Sequence, residues 1–142
     1  MGFGIWDFGR VTTEFQRRCD IVEESYEFML AYAAQGRQTD KGAAAGRNVR
    51  EYLDKMVAAL EGLTDVVDAA VKGLDPELPK TGAAFFAAVD ADARVALSAL
   101  ELVLSRADIS SQLIDNLNAS IHLRALLTDL FVVDEVLKPA KA

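Results

Sequence analysis

Val49-Arg50-Glu51-Tyr52-Leu53-Asp54-Lys55-Met56-Val57-Ala58-Ala59-Leu60-Glu61-Gly62-Leu63-Thr64-Asp65-Val66-Val67 is the stretch that decides the fold. Val49, Leu53, Met56, Leu60, Leu63 and Val67 recur at alternating steps of four and three, and Ala70 and Leu74 extend the series. A helix turns once in about 3.6 residues, so this spacing lays the apolar side chains along one stripe. A strand would need apolar residues at every second position. Strict heptad spacing is what a helix packed lengthwise against other helices requires. The stripe predicts a helix over about residues 41–72, with Gly42 and Gly46 continuing its seam backward. Arg50/Asp54, Glu51/Lys55 and Asp68/Lys72 sit four apart on its outer face, where each pair adds a few tenths of a kcal/mol.

Three more helices follow from the same reasoning. Phe15, Cys19, Val22, Tyr26, Met29 and Ala33 mark one face of a helix over 13–34, with Thr13 and Gln16 at capping-box spacing and Gly36 as its stop. The aromatic, glycine-rich segment before it, residues 1–12, reads as a docked arm. Two prolines between Gly73 and Lys80 break the chain, and Thr81 is placed to cap a helix over 81–106. Phe86, Val89, Ala93, Ala96, Leu100 and Val103 line that helix, and its polar residues shrink to a narrow stripe, so most of its circumference must be covered. Ser110 or Ser111 caps a last helix over 111–137, whose apolar face shifts midway, from Leu113, Leu117 and Ile121 to Leu123, Leu126, Leu130, Val133 and Leu137. The expectation is one all-α domain, residues 1–142: an antiparallel bundle of four long helices in up-down-up-down order.

Composition narrows the function. The net charge of −7 argues against nucleic acid, whose phosphates need a basic stripe, and equally against anionic membranes. No segment is apolar enough to span a bilayer, and Met1 to Asp7 lacks the basic start of a signal peptide. A single cysteine, Cys19, fits a reducing compartment, so the expected location is cytoplasmic.

Two constellations could carry chemistry. His122 shares a face of the last helix with Asp115, Asn118 and Asp129, and a carboxylate one turn away could orient it for proton transfer. The richer set is acidic. Glu23, Glu24 and Glu27 lie on the first helix, Glu51 and Asp54 on the second. In an antiparallel hairpin turning near Thr39, Glu27 stands level with Glu51 and Glu24 with Asp54. Four carboxylates so placed would repel one another unless a hard divalent cation such as Mg²⁺ joined them.

That pattern, in the text Ile21-Val22-Glu23-Glu24-Ser25-Tyr26-Glu27-Phe28 and Val49-Arg50-Glu51-Tyr52-Leu53-Asp54, resembles the all-α nucleoside triphosphate pyrophosphohydrolases of the MazG-like type. The resemblance covers about residues 20–64. It implies Mg²⁺ held by Glu24, Glu27, Glu51 and Asp54, with Glu23 a further ligand or the base for the attacking water. Lys55 departs from the family pattern, which has an apolar residue there, and the family's later basic segment has no counterpart.

The reading that asks least of the sequence is a non-enzymatic interaction or assembly module that needs no cofactor. Its motives are the excess of apolar positions on the last two helices, the acidic exterior, and an aromatic arm offering Phe3, Trp6 and Phe8 as contacts. It predicts a homo-oligomer. The Mg²⁺-dependent hydrolase is the alternative.

Overall fold

The seam from Val49 to Val67 is buried as its spacing requires, but two helices carry it instead of one. The computed structural model describes residues 5–42 and 44–138, with the backbone alone over 5–12 and 44–48. The described residues are all-helical: α1 (Ile5–Ala33), α2 (Ala44–Leu60), α3 (Leu63–Leu74), α4 (Leu78–Thr81), α5 (Ala83–Leu104), α6 (Ser111–Asn118) and α7 (Ile121–Leu137). Among them, no helix is long and apolar enough to cross a membrane.

Seven helices replace the four expected, and each difference has a local cause. The 41–72 helix divides at Gly62, whose φ of 69° lies in the left-handed region that glycine enters without steric penalty. Arg18 of α1 satisfies the interrupted end, donating to the carbonyl of Ala59 at 3.2 Å and to that of Glu61. The expected arm is corrected as well. From Ile5 onward the chain is helical, because no proline intervenes and one internal glycine, Gly9, costs a helix only about 1 kcal/mol. Phe3, and the side chains of Trp6 and Phe8, lie outside the described residues. Thr13 therefore sits inside α1 and does not start it. Nor does Thr81 cap α5, since its hydroxyl donates back to the Glu77 carbonyl at 3.1 Å within α4. Ser110 does cap α6, accepting from the Leu113 N–H at 3.0 Å. The midway shift of the last apolar face is a break at Ala119 and Ser120. Ile121, before the new phase settles, is 77% exposed, whereas Leu123, Leu126, Leu130, Val133 and Leu137 are buried.

α1 packs against α2, α3, α6 and α7, while α5 lies against α7, α2 and α3. One apolar cluster joins them, with Phe15, Met29, Tyr32, Leu53, Met56 and Leu100 fully buried. Cys19 lies in it, and burial, with Asp134, Glu23 and Asp20 nearby, pushes its thiol up to about 12, so it stays protonated and inert.

One end of the molecule is tied by polar bonds. Asp40, buried between α1 and α2, accepts from Arg50 Nε at 2.5 Å and from the Ile109 N–H at 2.9 Å. The same guanidinium donates to the carbonyls of Leu104, Arg106 and Ala107 at 3.2, 2.8 and 3.1 Å, completing the C-terminal end of α5. Arg50 therefore does not make the surface pair with Asp54 that helical spacing suggests. Beside it, the Tyr32 hydroxyl donates to the Ile109 carbonyl at 2.6 Å, and Ser111 Oγ donates to the Tyr32 carbonyl at 2.7 Å. Burial alone would raise the Asp40 carboxyl. The Arg50 and Ile109 hydrogen bonds outweigh it and hold the group below the usual carboxylate range.

Arg50→Met should lower unfolding free energy by about 2–4 kcal/mol at pH 7, because it strands a buried carboxylate and three carbonyls. Urea denaturation followed by circular dichroism measures this. As the pH falls through the Asp40 value, the part of that advantage owed to the carboxylate should be lost and the part owed to the carbonyls kept, since a depressed carboxyl contributes fully above its unfolded pKa and loses its contribution as the pH falls through the folded one.

Candidate functional site

α5 and α7 run antiparallel, and Phe85 and Phe86 near the start of α5 share a hollow with Val132, Val133 and Val136 near the end of α7. Asp92 further along α5 meets Asp129 and His122 of α7. These contacts fix which shoulders of the two helices adjoin. Residues three, four and seven apart share a helical face. The outer α5 shoulder therefore carries Ala84, Ala88, Ala91, Val95, Ala99 and Leu102, and the adjoining α7 shoulder carries Ile121, Ala125, Val132 and Val136.

The core of each helix is already covered on its inner side, so this outer seam is surplus apolar surface. Leu102 is 69% exposed and Val95, Val132 and Val136 between 42% and 45%. At one end Leu102 and Ile121 stand out. At the other, between α3, α4, α5 and α7, lies a hollow of roughly 160 Å³ with almost wholly apolar walls.

Midway, three titratable side chains interrupt the seam. His122 Nδ1 lies 3.5 Å from Asp92 Oδ1. Asp129 Oδ2 is buried and meets no donor. The carboxyl that acts on it from across the helix contact is Asp92, and two carboxyl groups can bond each other only when one carries a proton. Burial first, then the neighbouring Asp92 carboxyl, push the Asp129 carboxyl up to about 7. Among the described residues no lysine or arginine bonds either group. Both causes favour the protonated form of Asp129.

Sequence reasoning placed Asp129 and His122 together but missed Asp92. The signal was available: Asp92 is a lone charge among Ala88, Ala91, Val95 and Ala99. It also grouped Asp115 and Asn118 with His122. The break after Asn118 puts those two on α6, where the spacing no longer relates them to α7. Asn118 is buried, with neither amide atom partnered.

The acidic residues of α1 and α2 lie elsewhere. Phe28 and Tyr52 stack with centroids 4.4 Å apart; one step back on each of two antiparallel helices runs in opposite directions, so Glu27 and Glu51 are offset by about 3 Å in height. The side chains of Glu23, Glu24, Glu27, Glu51 and Asp54 are all exposed, and the Lys55 ammonium sits 4.7 Å over the Tyr52 ring. Among the described residues no three His, Cys, Asp or Glu side chains converge as a metal site. Glu23 is raised, chiefly by desolvation and then by Asp20, Asp134 and Glu27. No family model, curated protein or solved structure matches the chain.

The raised Asp129 carboxyl has a stability consequence. Its proton binds the folded state more tightly than the unfolded one, so its contribution is full below the unfolded value and is lost as pH rises through about 7. Asp129→Asn, which mimics the protonated acid, should melt several degrees higher than wild type at pH 8.5, a gain of about 1–2 kcal/mol. At pH 5 the difference should close. Thermal melts of both proteins across pH 5–9 test it.

Proposed function

We propose that this chain is a non-enzymatic helical interaction module that associates with a second copy of itself through the outer α5–α7 seam. In this reading the seven helices act as four antiparallel rods, α1, α2–α3, α5 and α6–α7, arranged up-down-up-down. The observation that carries the proposal is the set of exposed apolar side chains on two adjacent helices, on either side of the Asp92–Asp129–His122 group: Val95 and Leu102 of α5, Ile121, Val132 and Val136 of α7.

Two features favour a second copy as occupant. A layer of two helices is best covered by another such layer, and a copy of the chain supplies one. The seam is also self-complementary. A two-fold axis through its middle brings the protruding Leu102 and Ile121 of one copy onto the Val132–Val136 hollow of the other, and the reverse, as an isologous contact demands. The remaining acidic surface stays in water.

Leu102→Glu and Val132→Glu should each weaken association at least about thirtyfold, since each buries a charge in an apolar contact. Helix content should not change. Sedimentation velocity over a micromolar series reads the result. A wild-type monomer at every concentration would sink the reading.

One observation favours the hydrolase alternative: the Phe28–Tyr52 stack, which keeps α1 and α2 close at the height of Glu27 and Glu51. Against it stand the exposure of all five carboxylates and the Lys55 cation beside them. Calorimetric titration with Mg²⁺ should show no saturable binding at millimolar metal. Saturable binding that Glu27→Gln abolishes would reverse the order of the two readings.

A further inference from the structure

We infer that self-association of this chain is proton-linked: the Asp92–Asp129 carboxyl pair at the middle of the α5–α7 seam takes up a proton as two copies dock and releases it as they part. This rests on the seam being the self-association surface.

Position carries the inference. Asp92 lies near the middle of the α5 stripe from Ala84 to Leu102, and Asp129 near the middle of the α7 stripe from Ile121 to Val136. A two-fold axis that seats the protruding ends in the hollows passes beside this point, so the pair of one copy faces the pair of the other. Docking strips water from both. In the free chain Asp129 Oδ2 already lacks any donor, and a pair with both carboxyls ionised would carry two adjacent charges into an apolar contact with no cation to meet them. A pair sharing one proton carries a single charge and an internal hydrogen bond.

The titratable groups facing this point are few. α5 contributes Asp92; α7 contributes Asp129 and His122, the last half-exposed and 3.5 Å from Asp92. Arg94 of α5 is engaged with Asp90 at 2.9 Å and does not reach the pair. Acid favours the docked form, and alkali favours the free one. With the Asp129 carboxyl titrating at about 7 in the free chain, uptake of one proton per protomer lowers the association constant by about a hundredfold between pH 6 and pH 8.

The test is sedimentation equilibrium of the full chain at pH 6, 7 and 8 and constant ionic strength, beside Asp129→Asn and Asp92→Asn. Each amide supplies the donor that the proton otherwise provides. The expected result is a steep loss of wild-type association over this range, while both variants stay associated at pH 8 about as strongly as wild type at pH 6. The change in overall charge is common to all three proteins, so only the difference in slope bears on the pair. Equal slopes in wild type and variants, or a wild-type constant that does not fall with pH, overturn the proton linkage and leave self-association standing. No association at any pH overturns both. Circular dichroism of the two variants guards against misfolding, and either one alone suffices for the comparison.

Discussion

The Asp40–Arg50 contact is the constraint on which the arrangement of the helices depends. A carboxylate in a buried position is tolerable only if its charge and lone pairs are met, and here one guanidinium and one backbone N–H meet them. Arg50 simultaneously closes the carbonyl end of α5. One side chain thus joins the α1–α2 loop, α2, α5 and the segment before α6. Tyr32 and Ser111 add two further directed bonds between the end of α1 and the segment that leads into α6. Apolar packing alone tolerates sliding along a seam, whereas this set of directed bonds does not, so it sets the height of α5 against α2.

Fixing α5 in this way also sets what it shows to the outside. With Val89, Ala93, Ala96, Leu100 and Val103 turned inward, the opposite shoulder, Ala88, Val95 and Leu102, is left beside α7. The protein has more apolar helix surface than its own core can use. The acid pair within that surplus is costly to the isolated fold, which is the usual mark of a position kept for something other than stability. Its neighbours are small, alanine for the most part, so two helical layers can approach closely around it.

The acidic face of α1 and α2 shows why spacing on two helices is weaker evidence than it looks. Glu24, Glu27, Glu51 and Asp54 fall at intervals that place each pair on one helical face, and the Phe28–Tyr52 stack keeps the two helices near the register that the sequence suggests. Yet all four of these carboxylates are exposed. Helical spacing says which residues share a face. It does not say which way that face turns.

The sequence by itself determined that the chain is all-α, where its main apolar stripes lie, and that Gly36, Ser110 and the prolines before Thr81 punctuate it, because periodicity and capping are local properties of consecutive residues. It also carried the break after Asn118, visible as a slip in the phase of the leucines. It did not reveal the division at Gly62, since the heptad pattern runs through that turn undisturbed, nor the helix before Thr13, where an arm was as compatible with the composition. The partner of Arg50 and the meeting of Asp92 with Asp129 were settled only by tertiary structure. Asp40 is ten residues from Arg50 and Asp92 is thirty-seven from Asp129, and no periodicity links them. Such pairs form because packing brings distant helices together and burial then forces each charge to find whatever partner lies across the contact.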